Sequence, residues 1–138
     1  NGLYIIVVIS WISMLLSLYF SEIAKWIPCE LCWTERIFLY PIAFVSLLAI
    51  LRADKYIYPY LRLLSVFALA VSSYHVALQL TKVYTGTTLL ASCSLDLSGP
   101  SCADYYILEF GYITMPMMAV TASLIILIIS WINVHKLK

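Results

Sequence analysis

Residues 28–51, PCELCWTERIFLYPIAFVSLLAIL, decide the fold of this chain. The stretch opens with two cysteines three positions apart, Cys29 and Cys32, and continues as an apolar segment that ends near Leu51. A helix that crosses a bilayer needs roughly 20 mainly apolar residues, and this segment is long enough. The cysteines therefore lie where a polar loop enters a membrane-spanning helix. A reducible disulfide at that position is suited to moving electrons.

The composition extends this interpretation to the whole chain. Of its 138 residues, 64% are hydrophobic and 11% are charged, whereas a soluble globular chain has about 25% charged residues. Such a chain cannot cover itself with a polar surface, so we expect an integral membrane protein of one domain, residues 1–138. The formal net charge of +1 gives no indication of a nucleic-acid partner.

Four stretches are apolar enough to cross the membrane, at about residues 3–20, 31–51, 58–80 and 112–132. We expect them to be helices, because an open sheet leaves its backbone polar groups unpaired in lipid. The predicted fold class is therefore all-α, a four-helix membrane bundle. The first stretch is too long for a cleaved signal peptide and lacks a basic leader. Asn1 in place of a starting methionine indicates a trimmed or processed N-terminus.

The basic residues predict the orientation, since the side richer in Lys and Arg faces the cytoplasm. Both termini and the connection between the second and third spans share a side with five basic residues: Arg52, Lys55, Arg62, Lys136 and Lys138. The opposite side has three, Lys25, Arg36 and Lys82. We therefore expect cytoplasmic termini and two extracytoplasmic redox loops, at about residues 21–31 and 81–111. All four cysteines lie on this side, in the segment at residues 20–32 and the loop at residues 81–111, where disulfides persist.

The first cysteine pair suits redox chemistry. If the second helix begins near Pro28, a residue favoured in a first turn, Cys29 lies at the N-terminus of the helix. Unpaired N–H groups and the helix dipole favour a thiolate there. Cys29, Cys32 and Arg36 then share one helix face, with Arg36 about 6 Å beyond Cys32. A guanidinium in that place stabilises a thiolate and binds an anion or a carbonyl oxygen.

Other interpretations of this pair stay open. An inert structural disulfide between cysteines so close in sequence closes a tiny loop and gains little entropy. A zinc site normally needs a second closely spaced cysteine pair, which Cys93 and Cys102 do not form, and we expect no metal site. Arg36 has a simpler interpretation too, since a basic side chain near a helix end often extends to the membrane interface.

Cys93 and Cys102 enclose the turn-forming segment Ser98-Gly99-Pro100, which can bring the two sulfurs together. This second pair is either a structural loop disulfide or an electron relay to the first pair by thiol–disulfide exchange.

His75 is the one histidine within a predicted span, at a depth close to that of Arg36. The two side chains flank a common pocket, or else His75 is satisfied by a Ser or Tyr on a neighbouring helix.

The segment Pro28-Cys29-Glu30-Leu31-Cys32-Trp33-Thr34-Glu35-Arg36 resembles the signature of the DsbB/BdbC disulfide bond formation proteins. The resemblance continues along the chain through Tyr74-His75, LQL at residues 78–80 and FGYITMP at residues 110–116. The short loop between Cys93 and Cys102 is similar to the compact BdbC branch of the family.

The resemblance implies a quinone-dependent thiol oxidase in the bacterial plasma membrane, with an extracytoplasmic active site. Its electron acceptor would be menaquinone or ubiquinone, and its partner a soluble thioredoxin-like thiol oxidase of the DsbA/BdbD type. The implied catalytic residues are Cys29, Cys32, Cys93 and Cys102. Cys93 would be attacked by the partner, Cys102 would reduce the first pair, and Cys32 would deliver electrons to the quinone. The implied quinone contacts are Arg36 and His75, with Glu35 and Met115 as pocket walls.

Two rival functions stay open. Vitamin K epoxide reductase-like proteins are also four-helix bundles with paired cysteines, but their CxxC lies on a later span. A non-enzymatic membrane subunit with two structural disulfides predicts that Cys29 and Cys32 resist mild reductant and that Arg36 is dispensable.

Overall fold

The computed structural model describes residues 2–54, 56–86, 102 and 114–136. The helices are α1 (Gly2–Leu18), which continues into a one-turn π-helix at Tyr19–Ile23, α2 (Glu30–Leu51), α3 (Tyr58–Thr85) and α4 (Met115–Lys136). Four helical segments are long and apolar enough to cross a membrane, and the described part of the chain contains no strand. The predicted all-α fold is confirmed, whereas the side on which the termini lie stays a prediction.

Local sequence explains where the helices begin and end. Cys29 is the N-cap of α2, because its backbone is extended and its Sγ accepts the N–H of Cys32 at 3.4 Å. The helix thus begins after Pro28 rather than at it. α3 continues past the apolar run that ends near Leu80 and stops at Gly86, whose φ of 65° turns the chain out of the helix at no steric cost.

The bundle packs α1 against α2 and α4, and α3 against α2 and α4. Its core is a cluster of buried side chains from all four helices: Ile6, Leu39, Ile42, Tyr58, Leu61, Ala68 and Ile126. Buried serines line the same interfaces, and small side chains let helix backbones approach closely in a membrane. The hydroxyls of Ser10, Ser65 and Ser72 each donate to the carbonyl four residues earlier at 2.7 Å. These polar groups are therefore satisfied within their own helices.

Large apolar side chains cover the outside of the bundle. At least half of the surface of each of these side chains is exposed: Ile5, Val8, Ile37, Leu63 and Ile128. A soluble protein rarely shows so continuous an apolar surface, but in a bilayer such side chains contact lipid tails. The surface is that of a multi-pass membrane protein.

Ala68 and Ala70 provide a matched test of the packing of α3. Ala68 is buried in the core, with 1% of its surface exposed, while Ala70 is exposed on the same helix. We expect Ala68→Leu to lower the free energy of unfolding by about 1–3 kcal/mol, because the added methyl groups overpack a filled interface. Ala70→Leu should change it by less than about 0.5 kcal/mol. Unfolding in detergent micelles measures both, and equal stability of the two variants would contradict this helix arrangement.

Candidate functional site

A tight turn carries the chain from α1 to the cysteine pair. Lys25 has a left-handed backbone with φ 57°, and the N–H of Trp26 donates to the carbonyl of Phe20 at 3.1 Å. The rings of these two aromatic residues stack with their centroids 4.9 Å apart. The turn delivers Pro28 and Cys29 to the start of α2.

Cys29 and Cys32 face each other across the first turn of α2. Their Sγ atoms are 3.0 Å apart, so a small side-chain rotation brings them to the bond length of a disulfide, about 2.05 Å. The hydrogen bond with Cys32 and, second, burial raise the pKa of the Cys29 thiol to about 12. We expected the helix N-terminus to favour a thiolate at Cys29. The hydrogen bond and the burial act in the opposite direction and favour the thiol at Cys29.

His75 and Glu35 form a buried pair behind the cysteines. Nδ1 of His75 donates to Oε1 of Glu35 at 2.9 Å, so in the neutral imidazole Nε2 is the acceptor. This Nε2 lies 3.7 Å from Sγ of Cys29 and 3.5 Å from Nε2 of Gln79. The partner of His75 is thus a carboxylate, not the Ser or Tyr that the sequence left open. Glu35 does more than form a wall, because it orients the imidazole toward the sulfur.

Arg36 follows Cys32 one turn further along α2, and its guanidinium also ties α2 to α1. Nε donates to Oγ of Ser17 at 3.0 Å, and Nη2 donates to the Ser17 carbonyl at 3.1 Å. The Cζ atom of Arg36 lies 5.2 Å from the centroid of the Trp33 ring, a cation–π contact. Arg36 is therefore held in place by three contacts rather than extended freely to the membrane interface.

A cavity lies beside the cysteine pair, with all four helices contributing to its wall. Six of the predicted site residues line it: Cys29, Cys32, Glu35, Arg36, His75 and Met115. Apolar side chains such as Leu16 and Met118 form much of the remaining wall. The cavity thus combines one polar wall, which carries the sulfurs, with an apolar one.

Tyr40 also lines this cavity, and the sequence analysis missed it. Its hydroxyl is buried and has no hydrogen-bond partner within the described residues. Leaving a buried hydroxyl unsatisfied costs about 1–3 kcal/mol, so a ligand that accepts a hydrogen bond from this hydroxyl is favoured in the cavity. The spacing held a signal, since Tyr40 follows Arg36 by four residues and such pairs share a helix face.

Cys102 reaches the first cysteine pair. It is buried, with 1% of its surface exposed, and it belongs to the same cluster of packed side chains as Cys29 and Leu78. One member of the predicted second pair therefore lies in one cluster with the first pair. Cys93 lies outside the described residues, and its pairing with Cys102 stays a prediction.

Comparison with known proteins adds an independent observation. A family model described as "Disulfide bond formation protein DsbB" matches residues 2–133. The chain is 37% identical over 126 residues to disulfide bond formation protein C of Bacillus subtilis, across 91% of this chain and 87% of the relative. It is 34% identical over 131 residues to the probable disulfide formation protein C of Halalkalibacterium halodurans, across 92% and 91%. No solved structure matches the chain.

Proposed function

Because this chain belongs to the DsbB family of disulfide bond formation proteins, we propose that it transfers electrons from a thioredoxin-like partner to membrane quinone. Family membership makes the protein a membrane oxidoreductase of disulfide bond formation, and the family is generally quinone-linked. The proposal adds the electron acceptor, the partner and the residues that act. Each transfer of two electrons returns the partner to its disulfide form, in which the partner can oxidise exported proteins.

One observation carries the proposal. The sulfurs of Cys29 and Cys32, 3.0 Å apart, lie in the wall of a cavity that is otherwise largely apolar. Two thiols so placed can close to a disulfide, releasing two electrons and two protons at a place that a lipid-soluble molecule can reach. A purely structural disulfide needs no such cavity.

The residues of the cavity fit a quinone. Arg36 and Tyr40 offer N–H and O–H donors for a carbonyl oxygen, and the Tyr40 hydroxyl has no partner among the described residues. The apolar wall, with Met115 and Leu16, suits a ring and an isoprenoid tail. His75 borders the same space, with its orientation fixed by Glu35. When bound, a quinone accepts two electrons and two protons, the number that two thiols release.

The burial of Cys102 in one cluster with Cys29 supports the relay between the two pairs. A cysteine of the reduced partner attacks the Cys93–Cys102 disulfide at Cys93, and the partner's second cysteine then closes the partner's disulfide. The loop pair now holds the two electrons. Cys102 attacks the Cys29–Cys32 disulfide, and closure of the loop disulfide leaves Cys29 and Cys32 as thiols. Each exchange breaks one S–S bond and forms another, so electrons balance throughout.

The orientation completes the proposal. The excess of basic residues on the side of the termini predicts that the cysteines face away from the cytoplasm. The protein then acts at the outer face of a bacterial plasma membrane, where its soluble partner of the DsbA/BdbD type works. Menaquinone and ubiquinone both accept two electrons and two protons, so both are suitable acceptors.

The redox state of the cysteines tests the proposal directly. Purified protein is reduced with a stoichiometric thioredoxin-like dithiol under anaerobic conditions, and its thiols are then counted by alkylation before and after quinone is added. We expect the quinone to return the thiols to disulfides. Thiols that stay reduced with both quinone types, or a Cys29–Cys32 disulfide that resists the dithiol, would favour the non-enzymatic alternative.

Tyr40 provides a test of the quinone site that depends on the structure alone. We expect Tyr40→Phe to raise the KM for quinone about fivefold to tenfold, because a neutral hydrogen bond is worth about 1 kcal/mol. Tyr60, which is exposed on α3, supplies the matched control, and Tyr60→Phe should leave the KM unchanged. Initial rates of quinone reduction measure both. An unchanged KM in Tyr40→Phe would remove Tyr40 from the site.

A further inference from the structure

We propose that Cys29, Cys32 and His75, when the two cysteines are reduced, form a binding site for a thiophilic divalent cation of the zinc type. The inference goes beyond the proposed function and rests on the placement of three ligand atoms, not on a quinone or a partner. Bound metal would hold the pair in its dithiolate form and so oppose its return to a disulfide.

The distances suit a metal. The two sulfurs and Nε2 of His75 all lie within 4.8 Å of one another, with 3.0 Å between the sulfurs and 3.7 Å between Sγ of Cys29 and Nε2. Tetrahedral zinc with Zn–S bonds of about 2.3 Å sets its sulfur ligands about 3.8 Å apart and its sulfur and nitrogen ligands about 3.5 Å apart. The sulfurs therefore need to separate by about 0.8 Å, which is within reach of a side-chain rotation.

The hydrogen bond that orients His75 is of the kind found at metal-binding histidines. Such a residue usually donates its other ring N–H to a carboxylate, which fixes the tautomer and makes the ligating nitrogen more basic. Here Nδ1 donates to Glu35 at 2.9 Å, and Nε2 points at Sγ of Cys29. Cys29, Glu35 and His75 are buried, and Cys32 is partly buried. The carboxylate gives the cluster a supporting contact that a chance meeting of cysteines and histidine would lack.

Sequence spacing could not show this site. Cys93 and Cys102 are the wrong second pair for zinc, and on that ground we expected no metal. The third ligand instead comes from α3, so it becomes visible only when the helices are packed. Three protein ligands leave a fourth position on the cavity side, as in zinc sites that exchange a ligand.

The chemistry of binding is a proton exchange without electron transfer. The two thiols lose two protons as the cation binds, and no sulfur changes its oxidation state. A Cys29–Cys32 disulfide has no thiolate to offer, so the oxidised protein should not bind. The metal and the oxidised state are therefore mutually exclusive, and the site would couple disulfide formation to the supply of soft cations at the outer membrane face.

The test uses the 138-residue chain with Cys93→Ser and Cys102→Ser, in detergent, so that the first pair alone supplies thiolate sulfur. The protein is reduced, freed of reductant and titrated anaerobically with Co²⁺, whose thiolate charge-transfer absorption reports bound sulfur, and Zn²⁺ affinity follows from competition. We expect one ion per chain in the reduced protein and none in the oxidised protein. His75→Ala should weaken affinity at least about 100-fold and Glu35→Gln about tenfold. His135, at the far end of α4, supplies the control, and His135→Ala should have no effect.

Cadmium NMR of the reduced protein that retains His75 adds a readout that does not depend on whether the His75→Ala variant folds. The ¹¹³Cd chemical shift distinguishes a site of two sulfurs and a nitrogen from a site of two sulfurs and an oxygen. A shift typical of sulfur and nitrogen ligands supports the site. No binding, binding that survives His75→Ala at full strength, or a shift without nitrogen would overturn it. The measurement involves neither partner nor quinone, so its failure would leave the proposed function standing, and a failure of that function would leave the metal site standing.

Discussion

Cys32→Ser is expected to lower the rate of quinone reduction by a factor on the order of 10⁴ or more, as for loss of a residue that carries the reaction itself. In the wild type the sulfurs of Cys29 and Cys32 are 3.0 Å apart. Serine at position 32 cannot form a disulfide with Cys29, so the chain can no longer release two electrons at the cavity. The measurement is anaerobic quinone absorbance after addition of a reduced thioredoxin-like partner.

The same variant should still accept the partner. In the proposed relay the attack at Cys93 precedes any use of the first pair, so a mixed disulfide between Cys93 and the partner should still form in Cys32→Ser. A partner that lacks its second cysteine cannot resolve this bond, so the adduct should be visible on a non-reducing gel. A second variant, Cys93→Ser, serves as the converse control and should lose the mixed disulfide. Normal turnover by Cys32→Ser would show that the electron relay is wired differently.

Arg36→Lys is expected to lower kcat/KM for quinone about 100-fold, a loss comparable with removal of a charge-stabilising donor from an active site. Lysine keeps the charge but loses the planar set of donors. It cannot reproduce both contacts with Ser17, at 3.0 and 3.1 Å, while also presenting a donor to the cavity.

Arg62 is a matched control for this substitution. Its Cζ lies 5.1 Å from the centroid of the Trp131 ring, much as that of Arg36 lies 5.2 Å from the ring of Trp33. Arg62→Lys should leave quinone kinetics within about twofold of the wild type, since it changes the same kind of contact away from the cavity. In Arg36→Lys, oxidation of the partner in a single turnover should be nearly normal. Equal loss of partner oxidation and quinone reduction would argue against a quinone role for Arg36.

The sequence was sufficient to predict the fold class because a bilayer permits so few solutions. Apolar length alone identifies helices that can span it, and four such segments leave a helical bundle as the natural arrangement. The ends of the helices depend on local contacts instead. α2 begins after Pro28 because the Sγ of Cys29 caps it. α3 continues past its apolar run to Thr85, and the left-handed backbone of Gly86 ends it there.

The site was predictable where it depends on one helix. Cys29, Cys32 and Arg36 are related by helical spacing, and the structure places all three at one cavity. Contacts between helices left no trace in the spacing. The hydrogen bond from His75 to Glu35 joins α3 to α2 and thereby aims an imidazole at Cys29.

The electrostatics of the thiol also required the packed structure. The helix dipole was visible in the sequence, but the sulfur–sulfur hydrogen bond and the burial that raise the pKa of Cys29 were not. The hydroxyl of Tyr40, which has no hydrogen-bond partner among the described residues, is a further example. A tyrosine in an apolar span is otherwise interpreted as a packing or interfacial residue.

In the proposed function, electrons pass from protein thiols through Cys29 and Cys32 to a quinone. Anaerobic turnover of the purified protein in detergent tests it most directly, with quinone reduction followed by absorbance and partner oxidation followed by alkylation in the same sample. We expect one quinol to form for each partner disulfide, over many turnovers. No turnover with either menaquinone or ubiquinone analogues, together with a Cys29–Cys32 bond insensitive to dithiothreitol, would contradict it.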